Sequence, residues 1–259
     1  MTVRASLVNG AIRSITGLLC DVDSAAIQSL PLTGPLIVVG NHLNWLDAPL
    51  ILSRIQPRLA HTYAKIESFE KQPMRFLFET WNGIPVRRGE ADVDALRDGL
   101  DALSRGRMLV ILPEGTRSQD GRLLRGKPGV ATLALRSGAP IFPVVWYGHE
   151  CFSENVRRLR RTRVAVRAGN PFHIHTGGAR IGRVERQQIA DEIMYQIASL
   201  LPAPYRGYYS DLGLATEDFL SFGEGVRSNL LSADSDFADL SACRKARIMR
   251  RRGYGSTTL

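Results

Sequence analysis

Between residues 35 and 201 the chain alternates short apolar runs with segments whose apolar residues recur every three or four positions. Short runs of aliphatic and β-branched residues are typical of buried strands, and longer periodic segments are typical of amphipathic helices. Strands are predicted at 35–40, 59–64, 108–112, 141–146 and 164–168, and helices at 74–81, 92–104, 130–136 and 185–201. This alternation predicts an α/β domain with a largely parallel central sheet flanked by helices.

The N-terminal segment has an amphipathic pattern of its own. Within residues 3–19 the apolar positions lie near helical spacing. They are Val3, Leu7, Val8, Ile12, Ile15, Leu18 and Leu19. Two interpretations stay open: a helix that packs on the domain, or an interfacial helix that lies among lipid headgroups. No apolar run reaches about 18 residues, so we expect no transmembrane helix.

These patterns divide the chain into three parts. Residues 1–34 are predicted to be an N-terminal amphipathic helical segment, and residues 35–204 the α/β domain. Beyond Pro204 the regular periodicity ends, so residues 205–259 are predicted to be a C-terminal extension. That extension carries a basic tail, RKARIMRRR, at 244–252.

The net charge limits the classes of partner that the protein is expected to bind. The 259 residues include 34 Lys and Arg against 25 Asp and Glu, a formal net charge of +9. Such a balance suits nucleic acid, anionic membrane lipid or a phosphorylated substrate. The basic clusters at 157–163 and 244–252 lack interleaved aromatic residues, which argues against nucleic acid. For these clusters two interpretations stay open: docking on an anionic membrane surface, or on a carrier protein for 244–252, and a basic face that is simply solvated.

A candidate general base follows the first predicted strand of the domain. His42 lies two residues after the run at 35–40, and ligands of α/β sheets gather at the carboxyl ends of strands. Asp47, five residues further on, can reach the imidazole, fix its tautomer and stabilise the imidazolium. Read alone, the pair is equally compatible with a loop histidine and a helix-capping aspartate.

A candidate anion site follows the strand predicted at 108–112. The sequence from Pro113 to Ser118 reads PEGTRS. Gly115 lets the backbone approach a ligand closely, Thr116 offers a hydroxyl, and Arg117 can grip a phosphate with two parallel hydrogen bonds. In isolation the same segment is compatible with an ordinary polar turn.

Four segments, taken in order, resemble the glycerolipid acyltransferase family, which includes the bacterial 1-acylglycerol-3-phosphate acyltransferases. They are NHLNWLD at 41–47, GIPVRR at 83–88, PEGTRS at 113–118 and PIFPV at 140–144. Any one of them is a weak signal, but the set in this order is specific. One position departs from the family, in which the residue before the second-motif arginine is often acidic; here it is Arg87.

The resemblance implies an O-acyltransferase that needs no metal or other cofactor. His42 acts as general base and Asp47 supports it. The acyl donor is acyl-CoA or acyl carrier protein, and the acceptor is the hydroxyl of 1-acylglycerol-3-phosphate, which yields phosphatidic acid. Glycerol-3-phosphate, a lysophospholipid or another hydroxyl lipid is an alternative acceptor, and a non-enzymatic lipid-binding relative is the alternative class.

The resemblance also implies how the acceptor is held and where the protein works. Arg88, Arg117 and Lys65 hold the phosphate, and Gly115 and Thr116 line the site. Glu114 orients either the phosphate-binding arginine or the acceptor hydroxyl. The protein is expected to lie peripherally on the cytoplasmic face of a membrane.

Overall fold

The structure is a computed structural model that describes residues 3–55, 57–87, 89 and 92–232. A nine-stranded sheet lies between helices on both of its faces. The helices are α1 (Val3–Leu19), α2 (Asp47–Arg54), α3 (Met74–Thr80), α4 (Val93–Ser104), α5 (Gly129–Ser137), α6 (Phe152–Arg157) and α7 (Arg183–Ser199). The strands are β1 (Cys20–Asp23), β2 (Leu36–Val39), β3 (Ala60–Lys65), β4 (Gly83–Val86), β5 (Met108–Ile111), β6 (Ile141–Tyr147), β7 (Thr162–Ala168), β8 (Phe172–Ile174) and β9 (Leu220–Phe222).

The sheet is mostly parallel, as the alternation of strands and helices predicts. Its main order is β1-β7-β6-β2-β5-β3-β4, with β8 and β9 attached beside β6. The five strands from β6 to β4 run parallel to their neighbours, whereas β7 and β8 run antiparallel to β6. Parallel neighbours end at one edge of a sheet, so the loops that follow these five strands meet there.

Two hydrophobic layers cover the two faces of the sheet. Successive side chains of a strand point to opposite faces, and in β2 Ile37 and Val39 join one layer while Leu36 and Val38 join the other. All four side chains are at most 1% exposed. Helices α4, α5 and α7 pack on the first face, and α1, α2, α3 and α6 on the second. A strand buried on both faces reads as a continuous apolar run, which is why β2 was predictable.

Helix α1 packs on α2 through a face that only part of the predicted apolar stripe, Ile12 and Leu19, shares. Its buried residues are the small or polar Ala5, Asn9 and Thr16. The indole of Trp81 donates a hydrogen bond to Asn9, with a nitrogen-to-oxygen distance of 2.9 Å. Small side chains allow close approach of the helix, and the exposed side is left to an apolar stripe. Its most exposed members are Val3, Leu7, Ile15 and Leu18.

The sheet extends beyond the predicted 35–204 segment at both ends. Strand β1 lies within residues 1–34 and pairs with β7, and β9 lies beyond residue 204 and pairs with β8. Tyr205 and Tyr209 are buried in the first hydrophobic layer. These pieces have three or four residues or no regular period, so their patterns carried no strand or helix signal.

No helix in the described residues is long and apolar enough to cross a membrane. The basic tail at 244–252 lies outside the described residues.

Candidate active site

The candidate site lies along the edge where the five parallel strands end. His149 follows β6, His42 follows β2, Glu114 to Arg117 follow β5, and Lys65 ends β3. Neighbouring strands are about 4.8 Å apart. The loop of Arg117 is therefore one strand from that of His42, and Lys65 is two strands, roughly 10 Å, away. The fold brings together three predicted segments, at His42, Lys65 and 114–117, that are up to about 75 residues apart in sequence.

His42 and Asp47 make the predicted contact. The Nδ1 atom of His42 lies 2.7 Å from Oδ2 of Asp47. The same oxygen accepts the backbone N–H groups of Leu43, at 2.8 Å, and Asn44, at 2.9 Å. Asp47 is the first residue of α2 and is 1% exposed, while the His42 side chain is 16% exposed. The carboxylate is thus enclosed, and the imidazole reaches the surface.

Ionisation of Asp47 decides the tautomer of His42. Burial alone raises the pKa of this carboxyl, but hydrogen bonds from His149 and His42 outweigh it and lower the pKa to about 2. Asp47 is therefore a carboxylate at neutral pH and only accepts hydrogen bonds. The Nδ1 of His42 must carry the hydrogen, which leaves the Nε2 lone pair free to take a proton.

His149 was not predicted and lies on the other side of Asp47. Its Nε2 is 2.6 Å from Oδ1 of Asp47, and the residue is fully buried. The reasoning applied to His42 applies to it as well, because His149 also stands two residues after a buried strand, β6. The missing signal was its partner, since Asp47 is 102 residues away in sequence.

Hydrogen bonds from Asn41 hold the backbone before His42 against β6. The Asn41 amide donates to the carbonyl of Trp146 at 2.8 Å and accepts the N–H of Trp146 at 3.0 Å. Asn41 thereby continues the pairing after β2 ends at Val39. A Cβ atom on Gly40 would collide with the Val144 carbonyl and the Trp146 ring, so this approach requires glycine. Asn41 of the first motif therefore positions the loop of His42 beside β6.

The carboxyl group of Glu114 accepts two backbone hydrogen bonds. Its Oε1 accepts the backbone N–H of His42 at 2.7 Å, and its Oε2 accepts that of Leu124 at 2.8 Å. The residue is 2% exposed. Burial raises the pKa of Glu114 to about 8, although the two amide hydrogen bonds oppose the rise. Glu114 therefore ties the third-motif loop to the loop of His42, and its role towards the arginine or the acceptor hydroxyl stays a prediction.

The predicted phosphate ligands lie exposed along the same edge. Thr116 and Arg117 are exposed, and Gly115 has φ +67°, with the side chain of Lys127 packed where a Cβ would point. Lys65 is half exposed and pairs with Glu67 at 3.0 Å. Arg88 lies outside the described residues.

Among the residues that the structure describes, no group of three or more His, Cys, Asp or Glu side chains is arranged to hold a metal ion.

The chain is similar to known acyltransferases in sequence and in fold. The model of the acyltransferase family matches residues 21–147, which include His42, Asp47 and the third motif. The crystal structure of the 1-acyl-sn-glycerophosphate acyltransferase PlsC from Thermotoga maritima aligns with a TM-score of 0.55 and 25% identity, over 74% of this chain and 80% of that one. Over residues 21–147 the chain is therefore similar in sequence to acyltransferases, and its fold is similar to that of a 1-acyl-sn-glycerophosphate acyltransferase. The residues that match the family model end two positions before His149.

Curated relatives of the family agree in their reaction class and differ in acceptor. A chloroplastic 1-acyl-sn-glycerol-3-phosphate acyltransferase from Brassica napus is 30% identical over 132 residues, 49% of this chain and 37% of that protein. A lyso-ornithine lipid O-acyltransferase from Pseudomonas aeruginosa is 34% identical over 113 residues, 42% of each chain. The alignments therefore span less than half the length of these two relatives.

Proposed function

We propose that the protein transfers a fatty acyl group from acyl-CoA or acyl carrier protein to the hydroxyl of 1-acylglycerol-3-phosphate, forming phosphatidic acid. The observation that carries the proposal is the His42–Asp47 contact of 2.7 Å, one strand away from an exposed Arg117. A base on a surface-reaching imidazole needs an acceptor that brings its own hydroxyl, and a neighbouring guanidinium favours an acceptor with an anionic group.

The proposed reaction uses His42 twice. Its Nε2 takes the proton of the acceptor hydroxyl as the oxygen attacks the thioester carbonyl carbon, and Asp47 stabilises the imidazolium that results. The tetrahedral intermediate collapses by breaking the carbon–sulfur bond. The imidazolium then returns the proton to the departing thiolate, so the enzyme ends in its starting state. In this scheme Glu114 keeps the His42 backbone in place.

Placement of the cations supports a phosphorylated acceptor. Arg117 lies in the loop after β5, next to the loop of His42 after β2, and Lys65 ends β3, one strand beyond. We infer that Arg117 binds the phosphate with two hydrogen bonds and that Lys65 adds a weaker attraction from further away. Arg88 of the second motif is assigned to the same phosphate on the resemblance alone.

A panel of acceptors tests the proposal. Purified full-length protein is given labelled acyl-CoA or acyl carrier protein with 1-acylglycerol-3-phosphate, glycerol-3-phosphate, lysophosphatidylcholine or lyso-ornithine lipid. We expect the highest kcat/KM with 1-acylglycerol-3-phosphate and no transfer by His42→Ala. Absence of transfer to every acceptor, from either donor, contradicts the proposed function.

A second candidate is acyl transfer to a hydroxyl lipid without the glycerol phosphate. The likeness to a lyso-ornithine lipid acyltransferase favours it. The His42–Asp47 pair serves any hydroxyl, so it does not distinguish the two acceptors. A higher kcat/KM with lyso-ornithine lipid than with 1-acylglycerol-3-phosphate in the same panel selects this candidate.

We further propose that the protein binds the cytoplasmic face of a membrane peripherally, through α1 and the basic segment after α6. Leu7 and Leu18 of α1 are 69% and 75% exposed, and Leu159 is 97% exposed between pairs of arginines. Arg161 joins the two parts, because its guanidinium donates to the carbonyls of Gly17 at 2.8 Å and Cys20 at 2.7 Å. Apolar side chains beside arginines suit an anionic lipid surface.

Vesicle sedimentation tests the membrane proposal. We expect the protein to sediment with phosphatidylglycerol-containing vesicles, and Leu7→Asp to reduce this binding several-fold. Val184→Asp is the matched control, because Val184 is 76% exposed on α7, which covers the opposite face of the sheet. Equal loss in the two variants, or no binding by the unmodified protein, contradicts the proposal.

A further inference from the structure

His149 is a fully buried histidine that the base mechanism above does not use. It follows β6, the strand that carries the fourth motif, and reaches back across the sheet edge to Asp47. The two histidines contact different oxygens of one carboxylate: His42 lies on Oδ2 at 2.7 Å and His149 on Oδ1 at 2.6 Å. Asp47 is therefore clamped between two imidazoles.

Hydrogen positions in the clamp follow from the charge of Asp47. A carboxylate only accepts hydrogen bonds, so each facing ring nitrogen carries a hydrogen. For His149 this is Nε2. Its other nitrogen, Nδ1, is buried without a hydrogen-bond partner in the described part of the chain. A hydrogen there would be a buried donor without an acceptor, and a bare lone pair costs less. The Nε2–H tautomer is the one that fits.

Among the described residues, His149 is the hydrogen-bond donor to Oδ1 of Asp47. Oδ2 accepts three hydrogen bonds, from His42, Leu43 and Asn44, whereas Oδ1 accepts that of His149. A buried carboxylate oxygen without a donor is costly. Loss of His149 therefore favours a tilt of the carboxylate that brings Oδ1 to another donor, and such a tilt lengthens the bond of Oδ2 to His42 Nδ1.

We propose that His149 is a positioning residue for the acyl transfer, which holds the Asp47 carboxylate so that His42 keeps its Nδ1–H tautomer and a free Nε2. The inference rests on the proposed function of His42 as base. His149 does not touch substrate in this scheme and acts through Asp47 alone. The sequence match to the family ends at residue 147, so the role comes from the geometry of this chain.

Three substitutions separate positioning from mere packing. Glutamine places its amide nitrogen where Nε2 of histidine stands, asparagine places it one bond short, and phenylalanine keeps ring volume without a donor. In the acyl-transfer assay we expect His149→Gln to keep kcat within about threefold. His149→Asn and His149→Phe are expected to lose kcat on the order of 10- to 100-fold, as supporting hydrogen bonds to active groups typically do, with acceptor KM within about threefold.

Ring-nitrogen NMR gives a readout that does not need turnover. In protein with labelled histidine we expect His42 to be in the Nδ1–H form in the unmodified protein and in His149→Gln. We expect a mixture of tautomers in His149→Asn and His149→Phe. Only the Gln and Asn variants need to fold, since they differ by one methylene and their comparison alone decides the outcome.

The results that overturn the inference are distinct from those that overturn the function. His149→Asn with unmodified kcat and an unmixed His42 tautomer, beside an inactive His42→Ala, removes the role of His149 and leaves the proposed function intact. Equal losses in the Gln and Asn variants also remove it, because the Nε2–H donor then makes no difference. A fully active His42→Ala instead contradicts the function itself.

Discussion

The candidate site has a base end, formed by His42, Asp47 and His149, and a phosphate end, formed by Arg117 and Lys65. The two ends differ in how deeply their charged side chains are buried. At the base end Asp47 is 1% and His149 0% exposed, and every oxygen of Asp47 has a partner. At the phosphate end Lys65 is half exposed and Arg117 is exposed, and the Lys65 partner is the surface residue Glu67. Both ends lie on one sheet edge, so the difference comes from local burial and not from topology.

This contrast divides the work of the site. Buried charges need partners, and partners fix geometry, so the base is oriented before any substrate arrives. Exposed cations are hydrated and mobile, and they gain a fixed partner only when an anion binds. We therefore expect changes at the base end to lower kcat, and changes at the phosphate end to raise the acceptor KM.

The largest effect is expected from His42→Ala. Loss of the general base should lower kcat by roughly 10³-fold or more, with acceptor KM little changed, because no binding group is removed. Steady-state kinetics with 1-acylglycerol-3-phosphate measure it. His173→Ala is the matched control, since His173 is exposed on β8, and should keep kcat within about twofold. Unmodified turnover by His42→Ala refutes the base mechanism.

Asp47→Asn should come next, with roughly 10²- to 10⁴-fold loss of kcat, because an amide no longer holds His42 in the right tautomer. Stability should respond too. The folded pKa of Asp47, about 2, is below the usual 3.8, so its stabilisation is present above pH 3.8 and lost as the pH falls through 2.

Urea unfolding between pH 5 and pH 2 measures this part. The unmodified protein should lose about 2 kcal/mol of unfolding free energy from this group, a component that Asp47→Asn lacks. The same acid loss in both proteins would mean that Asp47 is not the responsible carboxylate.

Arg117→Ala is expected to raise the acceptor KM by roughly 10- to 100-fold while kcat changes by less than about threefold, since a charge-assisted hydrogen bond pair is lost. Arg117→Lys should recover only part of the loss, because a lysine cannot grip two oxygens at once. Arg136→Ala, at the far end of α5, is the matched control. A fall in kcat at constant KM would place Arg117 at the reacting centre.

Lys65→Ala should have the smallest effect, below about fivefold on acceptor KM, because exposed ion pairs contribute little. The effect should shrink further as salt is raised. Titration of acceptor at two salt concentrations measures it. A loss as large as that of Arg117→Ala would mean that the phosphate lies nearer to β3 than to β5.

Much of this contrast could be predicted from local sequence. Strand β2 reads as a continuous apolar run because both of its faces are buried. His42 and Asp47 are five positions apart, so their contact forms within one turn of the chain. The third motif likewise stands directly after β5. Arg117 was singled out by its place after that strand and Lys65 by the resemblance, and their binding of a phosphate stays a prediction.

Other features depend on contacts between distant segments. The bond of Glu114 to the backbone of His42 was not predicted, because the two residues are 72 positions apart in sequence. The burial of Ala5, Asn9 and Thr16 on α1 was not predicted, because it depends on where α2 and α3 lie. Apolar spacing alone does not separate Ile12 and Leu19, which pack on the second layer, from Leu7 and Leu18, which stay exposed.

The sequence by itself determined the α/β alternation, the edge at which the chemistry gathers and the pairing of His42 with Asp47. All three follow from periodicity and from contacts within a few residues. Only the tertiary structure decided that His149 closes on the same carboxylate and that Glu114 holds the His42 backbone. Those contacts join strands that are neighbours in the sheet but far apart in sequence, and the burial that makes them strong exists only once the sheet has formed.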